Sequence, residues 1–175
     1  MTSHAAASAA QNIRLLLLDV DGVLTDGRLY YGDDGHEFKA FNIKDGLGIK
    51  LLQRGGVEVG IITARSSSLL ARRCSELGIE RVIQGREDKL AALNELLDQS
   101  PFDMAQVAYM GDDLPDLAVI KRVGLSMTVA DASQVIIESA LWRSQYPGGG
   151  GAVREAAEFI LTAQNKLEQL VSSYL

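Results

Sequence analysis

Cysteine and histidine are nearly absent from this chain: Cys74 is its single cysteine, and His4 and His36 are the only histidines among 175 residues. One thiol excludes an intrachain disulfide framework and a cysteine-based zinc site. Two histidines leave little material for a histidine-centred metal site or a Ser-His-Asp triad. Cations are also in the minority, 17 Lys and Arg against 23 Asp and Glu, giving a net charge of −6 with no long basic run. That balance argues against a general nucleic-acid binder, which neutralises many phosphates over an extended face. A phosphorylated small molecule needs only a few local cations and stays open. No apolar run approaches the ~18 residues needed to span a bilayer. Residues 1–12, MTSHAAASAAQN, have neither the basic start nor the apolar stretch of a signal peptide. The expectation is a soluble, cytoplasmic protein. Its 47% hydrophobic residues suffice for one compact domain over 13–175, with 1–12 a disordered, Ala/Ser-rich extension.

What is present is an alternation of strand and helix signals. Leu15-Leu16-Leu17-Leu18 opens a strand over 15–20, apolar enough to be buried on both faces. A hairpin follows over 28–42, turning at Gly32-Asp33-Asp34-Gly35. Helical spacing over 45–54 stops at Gly55-Gly56, and a second helix over 66–77 stops at Gly78. Strands are expected at 57–63, 81–84, 107–110 and 125–129, with helices at 88–97, 114–122 and 133–139. The glycine run 148–151 breaks the pattern as a flexible tail, and apolar residues then repeat at helical spacing over 152–174. Strands alternating with helices predict an α/β fold: a Rossmann-like parallel sheet with helices on both faces.

On that frame, chemistry-bearing residues fall at the carboxyl ends of strands, where ligands bind in open parallel sheets. Asp19 and Asp21 end the first strand, Thr63 and then Arg65 follow 57–62, Lys89 opens the helix after 81–84, and Gly111-Asp112-Asp113 ends 107–110. Singly, each has an ordinary explanation: a turn at Asp19-Val20-Asp21-Gly22, an N-cap at Thr63, a solvated helix lysine at Lys89, a helix cap at Asp112-Asp113. Together they place carboxylates for a cation, a hydroxyl, an ammonium and a candidate nucleophile on one edge. That set suits phosphoryl chemistry, where catalysis is mostly positioning and charge stabilisation.

The order Asp19-Val20-Asp21-Gly22, then Thr63, Lys89 and Gly111-Asp112-Asp113-Leu114-Pro115-Asp116 resembles the four motifs of the haloacid dehalogenase (HAD)-like phosphatases. The resemblance covers nearly the whole chain after residue 12. Three longer strings, Leu18 to Gly27, Phe41-Asn42-Ile43-Lys44-Asp45-Gly46 and Gly151-Ala152-Val153-Arg154-Glu155, are similar to a narrower family, the phosphatases of 3-deoxy-D-manno-octulosonate (Kdo) 8-phosphate in lipopolysaccharide synthesis.

The resemblance implies a phosphoric monoester hydrolase that forms an aspartyl-phosphate. Asp19 would be the nucleophile and Asp21 the acid and base, with Thr63 and Lys89 holding phosphoryl oxygens. Mg²⁺ would sit on the Asp19 and Asp112 carboxylates and the Asp21 carbonyl. Substrate contacts would come from Asp21, Asn42, Ile43, Lys44, Asp45, Gly46, Lys50, Arg65, Arg73 and Lys89. Lys50 stands where the family's arginine is expected and Ala64 where glycine is usual. The chain also resembles the capless members, with the 28–42 hairpin in place of a cap domain. Leu29, Tyr30, Tyr31, Phe38 and Phe41 give that hairpin more apolar surface than its own domain readily covers, and the resemblance implies a homotetramer built on it. Neighbouring subunits and the flexible 148–151 tail would then close the site. A phosphatase for a nine-carbon sugar acid phosphate and a non-catalytic regulatory module stay as alternatives. A receiver domain fits poorly, because Lys89 precedes the Asp112-Asp113 pair instead of following it.

Overall fold

The computed structural model describes residues 4–175. The four leucines form β1 (Leu15–Leu18), completely buried. Leu16 and Leu18 face one apolar layer and Leu15 and Leu17 the other, which is the period-2 consequence of a strand covered on both sides. Each such buried leucine contributes ~1.5–3 kcal/mol. Around β1 a six-stranded parallel sheet runs in the order β5-β4-β1-β6-β7-β8, with β4 (Glu58–Ile62), β5 (Arg81–Ile83), β6 (Val107–Gly111), β7 (Leu125–Thr128) and β8 (Trp142–Arg143). Strands β2 (Tyr30–Tyr31) and β3 (Glu37–Phe38) form the separate antiparallel hairpin, pairing Tyr30 with Phe38 and Tyr31 with Glu37.

One face of the sheet carries α1 (His4–Ala10), α2 (Ile43–Arg54), α3 (Ser68–Leu77) and α7 (Ala152–Ala163); the other carries α4 (Lys89–Asp98), α5 (Leu117–Ile120) and α6 (Gln134–Ser139). Only the hairpin lies between β1 and α2, and only α3 and β5 lie between β4 and α4. No helix among the described residues is long and apolar enough to cross a membrane.

Three expectations change and one strand is added. The N-terminal stretch is not a disordered extension over its described part: His4–Ala10 is helical, with Ala6 and Ala10 fully buried in the layer that includes α7. Alanine is the best helix former and its small side chain lets the helix sit close; residues 1–3 lie outside the described residues. Strand β8 has only two residues, too short for any periodicity to reveal it. The expected helix over 152–174 is two, α7 and α8 (Leu167–Ser172), broken where Asn165 takes a left-handed conformation with φ 57°. Gln164 there donates to the Ala10 and Ile13 carbonyls, and Lys166 to the Gly55 carbonyl, so the break is stitched to the start and middle of the chain.

The glycine run 148–151, finally, is a strap and not a flexible tail. Gly149 N–H donates to Val23 O at 2.9 Å, Gly148 N–H to Asp131 Oδ1 at 2.9 Å, and the Asn42 amide to Gly149 O at 3.1 Å. A Cβ on Gly148 would collide with the Gly22 carbonyl, so only glycine lets this strap lie under the loop that carries Asp21.

Candidate active site

The carboxyl end of β1 delivers Asp19, whose N–H continues the ladder to Met110 O at 3.0 Å. The chain then folds back tightly: the N–H groups of Val23, Leu24 and Thr25 all point at Val20 O, at 3.2, 2.9 and 3.0 Å. Asp19, Asp21, Thr63, Arg65, Lys89, Asp112, Asp113 and Asp116 line one open cleft at this edge of the sheet. The four motifs therefore converge as expected.

Lys89 opens α4 behind the Asp88 cap, with its ammonium buried between two carboxylates, 2.9 Å from Asp19 Oδ2 and 2.6 Å from Asp116 Oδ1. Burial alone would lower its pKa, but the Asp19 and Asp116 charges outweigh burial and hold it above the ordinary lysine value. Thr63 is buried at the end of β4, fixed by its N–H to Ile83 O at 3.0 Å, and it accepts at its carbonyl from Arg86 N–H at 3.2 Å.

Asp116, the last residue of the Gly111–Asp116 motif, organises the site although its type and spacing alone give it no role. It is 1% exposed. Its Oδ1 accepts from Lys89 Nζ and the Tyr109 hydroxyl, both at 2.6 Å, and its Oδ2 from the N–H groups of Asp112 and Asp113 at 3.0 and 3.2 Å. The signal was available in part: Asp113-Leu114-Pro115-Asp116 is a capping box with proline in the first turn. The Tyr109 side of the carboxylate, by contrast, is visible only in three dimensions. Burial and the Asp116 charge keep the Tyr109 phenol well above its ordinary value, so it is a donor here.

Oxygens of Asp19, Asp112 and Asp116 lie within 4.8 Å of one another. Desolvation first, then the neighbouring Asp116, raise Asp19 to about 6; desolvation and the Asp19, Asp116 and Asp113 charges raise Asp112 to about 7. Among the described residues no donor reaches the Asp112 carboxylate. With Asp116 saturated by four donors, Asp19 and Asp112 are the two carboxylates left to share a hard cation, and their oxygen-only donor set suits Mg²⁺. Gly22 makes room for this: it has φ +90°, and a Cβ there would run into the Asp112 carboxylate.

The expected substrate residues divide. Arg65 stands in the cleft, 3.6 Å from Asp21 Oδ2. Asn42 caps α2, accepting from Lys44 N–H at 2.8 Å, and ties the glycine strap. Asp45 is buried and caps α7, accepting from Arg154 N–H at 2.8 Å, so burial raises its pKa against the pull of those amides. Ile43 and Lys44 are exposed at the start of α2. The Arg73 guanidinium lies against Gly46, where a Cβ would collide with it, and donates to Glu76 at 3.3 Å. Lys50 does not approach the carboxylates: it lies two turns along α2, its ammonium beside Gly78 at the far end of α3. The structure thus brings Asp19, Asp21, Thr63, Arg65, Lys89 and Asp112 together, while Asn42 and Asp45 support the backbone around them.

A parallel sheet that gathers an Asp-x-Asp, a threonine, a buried lysine and an acidic pair at its carboxyl edge has the parts of a phosphoryl-transferring hydrolase. Comparison with known proteins agrees. Residues 78–152 match the haloacid dehalogenase-like hydrolase family. The 3-deoxy-D-manno-octulosonate 8-phosphate phosphatase KdsC of Yersinia pestis is 50% identical over 159 residues, covering 91% of this chain and 85% of that protein. A probable YrbI family phosphatase from Pseudomonas syringae superposes with a TM-score of 0.96 at 50% identity, covering 98% of each chain. The Moraxella catarrhalis 3-deoxy-D-manno-octulosonate 8-phosphate phosphatase, solved with magnesium, phosphate and KDO, superposes with a TM-score of 0.95 at 39% identity over 97% of this chain and 98% of that one. The chain belongs to the 3-deoxy-D-manno-octulosonate 8-phosphate phosphatase family of HAD-like hydrolases.

Proposed function

We propose that this chain is a Mg²⁺-dependent phosphomonoesterase that hydrolyses Kdo 8-phosphate to Kdo and phosphate, in the cytoplasmic part of lipopolysaccharide synthesis. The observation that carries the chemistry is Asp19, fixed by Lys89 at 2.9 Å and facing the free Asp112 carboxylate at the end of an apolar strand. Family membership carries the substrate. Asp19 attacks phosphorus as the bond from phosphorus to the sugar oxygen breaks, and Asp21 gives that oxygen its proton. Water then attacks the aspartyl-phosphate, Asp21 takes the water's proton, and Asp19 is released with inorganic phosphate. Lys89 and Thr63 hold phosphoryl oxygens, and Arg65 and Arg73 supply cations for a substrate that carries a carboxylate beside its phosphate. Mg²⁺ held by Asp19, Asp112 and the Asp21 carbonyl offsets the charge of both nucleophile and phosphate. Asp113 supports the water shell of that site.

The decisive measurement is phosphate release from Kdo 8-phosphate beside a nine-carbon sugar acid phosphate. The expected result is a higher kcat/KM for the eight-carbon substrate, abolished in Asp19→Asn and in excess EDTA. Preference for nine carbons would overturn the substrate assignment, and full activity in EDTA the mechanism.

A homotetramer through the 28–42 hairpin fits its surface. Leu29, Tyr30, Tyr31 and Phe38 are 47, 40, 66 and 60% exposed, on a two-stranded element that is marginal alone. Phe41 instead packs against the core. Sedimentation at micromolar concentration is expected to give a tetramer; a monomer would remove this assignment.

A further inference from the structure

The hairpin also carries a cation that no motif includes. Lys39, just after β3, reaches back to the loop after β1, where its Nζ is ion-paired with Asp21 Oδ1. Its side chain is only 4% exposed, whereas that of Asp21 is 22% exposed. The other oxygen of Asp21, Oδ2, lies 3.6 Å from Arg65 Nε. Glu37 of β3 completes a ring: its Oε1 accepts from Arg65 Nη2 at 3.1 Å and lies 3.9 Å from Lys39 Nζ. Asp21 is thus gripped by cations from two different elements, and those cations are tied to each other through one hairpin carboxylate.

We propose that Lys39 is a positioning residue for the acid–base step: through the Lys39–Glu37–Arg65 ring the hairpin sets the direction in which the Asp21 carboxyl points. This rests on the role given to Asp21 above. An ammonium removed from water is costly without a counter-charge, so Lys39 and Asp21 hold each other in place. An aspartate on a tight loop has two free torsions, and a misplacement of ~1 Å in a reacting group costs about 10²-fold in rate. Without Lys39 only the longer Arg65 contact constrains Asp21. Lys39 Nζ pairs with Asp21 and Glu37 and with neither Asp19 nor Asp112, so it acts through Asp21. The hairpin therefore does more than present an apolar surface, because its Lys39 and Glu37 side chains set where the acid stands.

The test separates acid positioning from binding and from structure. A sugar leaving oxygen needs a proton, whereas p-nitrophenolate departs without one, and kcat/KM reports only the steps up to departure. Lys39→Met keeps the apolar stem and removes the charge. It is expected to lower kcat/KM on Kdo 8-phosphate about 30-fold, mostly in kcat, and on p-nitrophenyl phosphate less than ~3-fold. Lys39→Arg should recover most of the loss, and Glu37→Gln should show a weaker loss with the same substrate bias.

Equal losses on both substrates would make Lys39 merely structural, and a loss confined to KM for the sugar acid would make it a binding residue. Either result overturns the proposal. If the wild-type protein ignores Kdo 8-phosphate, the substrate assignment fails by itself; the same ratio is then read with any alkyl phosphate that the wild type does hydrolyse.

Discussion

Replacing Asp116 with asparagine tests whether this carboxylate organises the site or ligates the cation. The change keeps the shape but puts an NH₂ where one oxygen stood. If the NH₂ faces the Asp112 and Asp113 amides, two donors meet donors; if it faces the other way, it meets Lys89 and the Tyr109 hydroxyl. One orientation loses the two amide hydrogen bonds; in the other the Tyr109 hydroxyl can turn to accept and the Lys89 bond is lost, each bond to the charged acceptor being worth ~1.5–3 kcal/mol. Part of this is offset, because the Asp116 charge helps raise both Asp19 and Asp112 and its removal relieves that repulsion. A net destabilisation of about 2–3 kcal/mol corresponds to a Tm lower by ~5–10 °C for a domain of this size. Lys89 then keeps Asp19 as its single charged partner and is no longer held from both sides, so kcat should fall by ~10²-fold. Circular dichroism melts in EDTA and in Mg²⁺, with titration calorimetry for the cation, read all three quantities. An unchanged Tm together with a Mg²⁺ affinity lowered more than ~100-fold would refute the argument and make Asp116 a ligand.

Three further outcomes are expected. Without a cation, folded Asp19 and Asp112 have pKa values of about 6 and about 7, above their unfolded value of 3.8. The folded chain then binds more protons than the unfolded one across that interval, so the stability contributed is complete below pH ~4 and is lost as pH rises through 6 and 7. Melts in EDTA should therefore fall in Tm from pH 5 to 7.5 while saturating Mg²⁺ removes the decline; a Tm that rises in EDTA would contradict the charge crowding. Gly22→Ala forces a side chain at φ +90° into the Asp112 carboxylate, costing ~1–3 kcal/mol of stability and weakening Mg²⁺ binding in calorimetry; wild-type affinity would mean the loop has room to spare. Lys50→Ala should leave kcat/KM within ~3-fold of wild type, since the ammonium lies beside Gly78 and a lost transition-state contact costs ~10²-fold; a 30-fold loss would place Lys50 in the substrate site.

Strand-end charges were legible in the sequence because two simple periodicities locate them. Four leucines alternate between two apolar layers, and whatever follows such a strand must emerge at the sheet edge; hence Asp19, and by the same reasoning Thr63 and Asp112. The groups that hold those charges were not legible. Lys39 meets Asp21 across 18 residues and Asp116 meets Lys89 across 27, separations that obey no helix or strand period. Asn42 and Asp45 entered as substrate contacts through the family resemblance alone; that each also accepts from a backbone amide at a helix start, Lys44 N–H and Arg154 N–H, is a role no sequence period shows. The N-terminal alanines misled for a related reason: low side-chain polarity and small size read as a tail until α7 supplies a surface for them to bury against.

Because Lys89 lies between Asp19 and Asp116, and Asp116 also holds the Asp112 amide, the proposed nucleophile, the ammonium and the proposed cation ligand are oriented as one unit. Such units are not additive. Lys89→Met alone leaves two buried carboxylates facing each other across the position of their lost partner, and breaking a buried pair from one side costs ~3–5 kcal/mol. Asp116→Asn alone leaves Lys89 with a single charged partner and costs the ~2–3 kcal/mol argued above. In the double variant the asparagine no longer lacks its ammonium and only Asp19 keeps a buried charge. The pair should therefore be less destabilised than the sum of the single changes, with a coupling energy of ~1–3 kcal/mol by urea denaturation in EDTA. Additivity within ~0.5 kcal/mol would mean that Lys89 and Asp116 act separately, and the carboxyl edge of the sheet would then be a set of neighbours instead of one preorganised site.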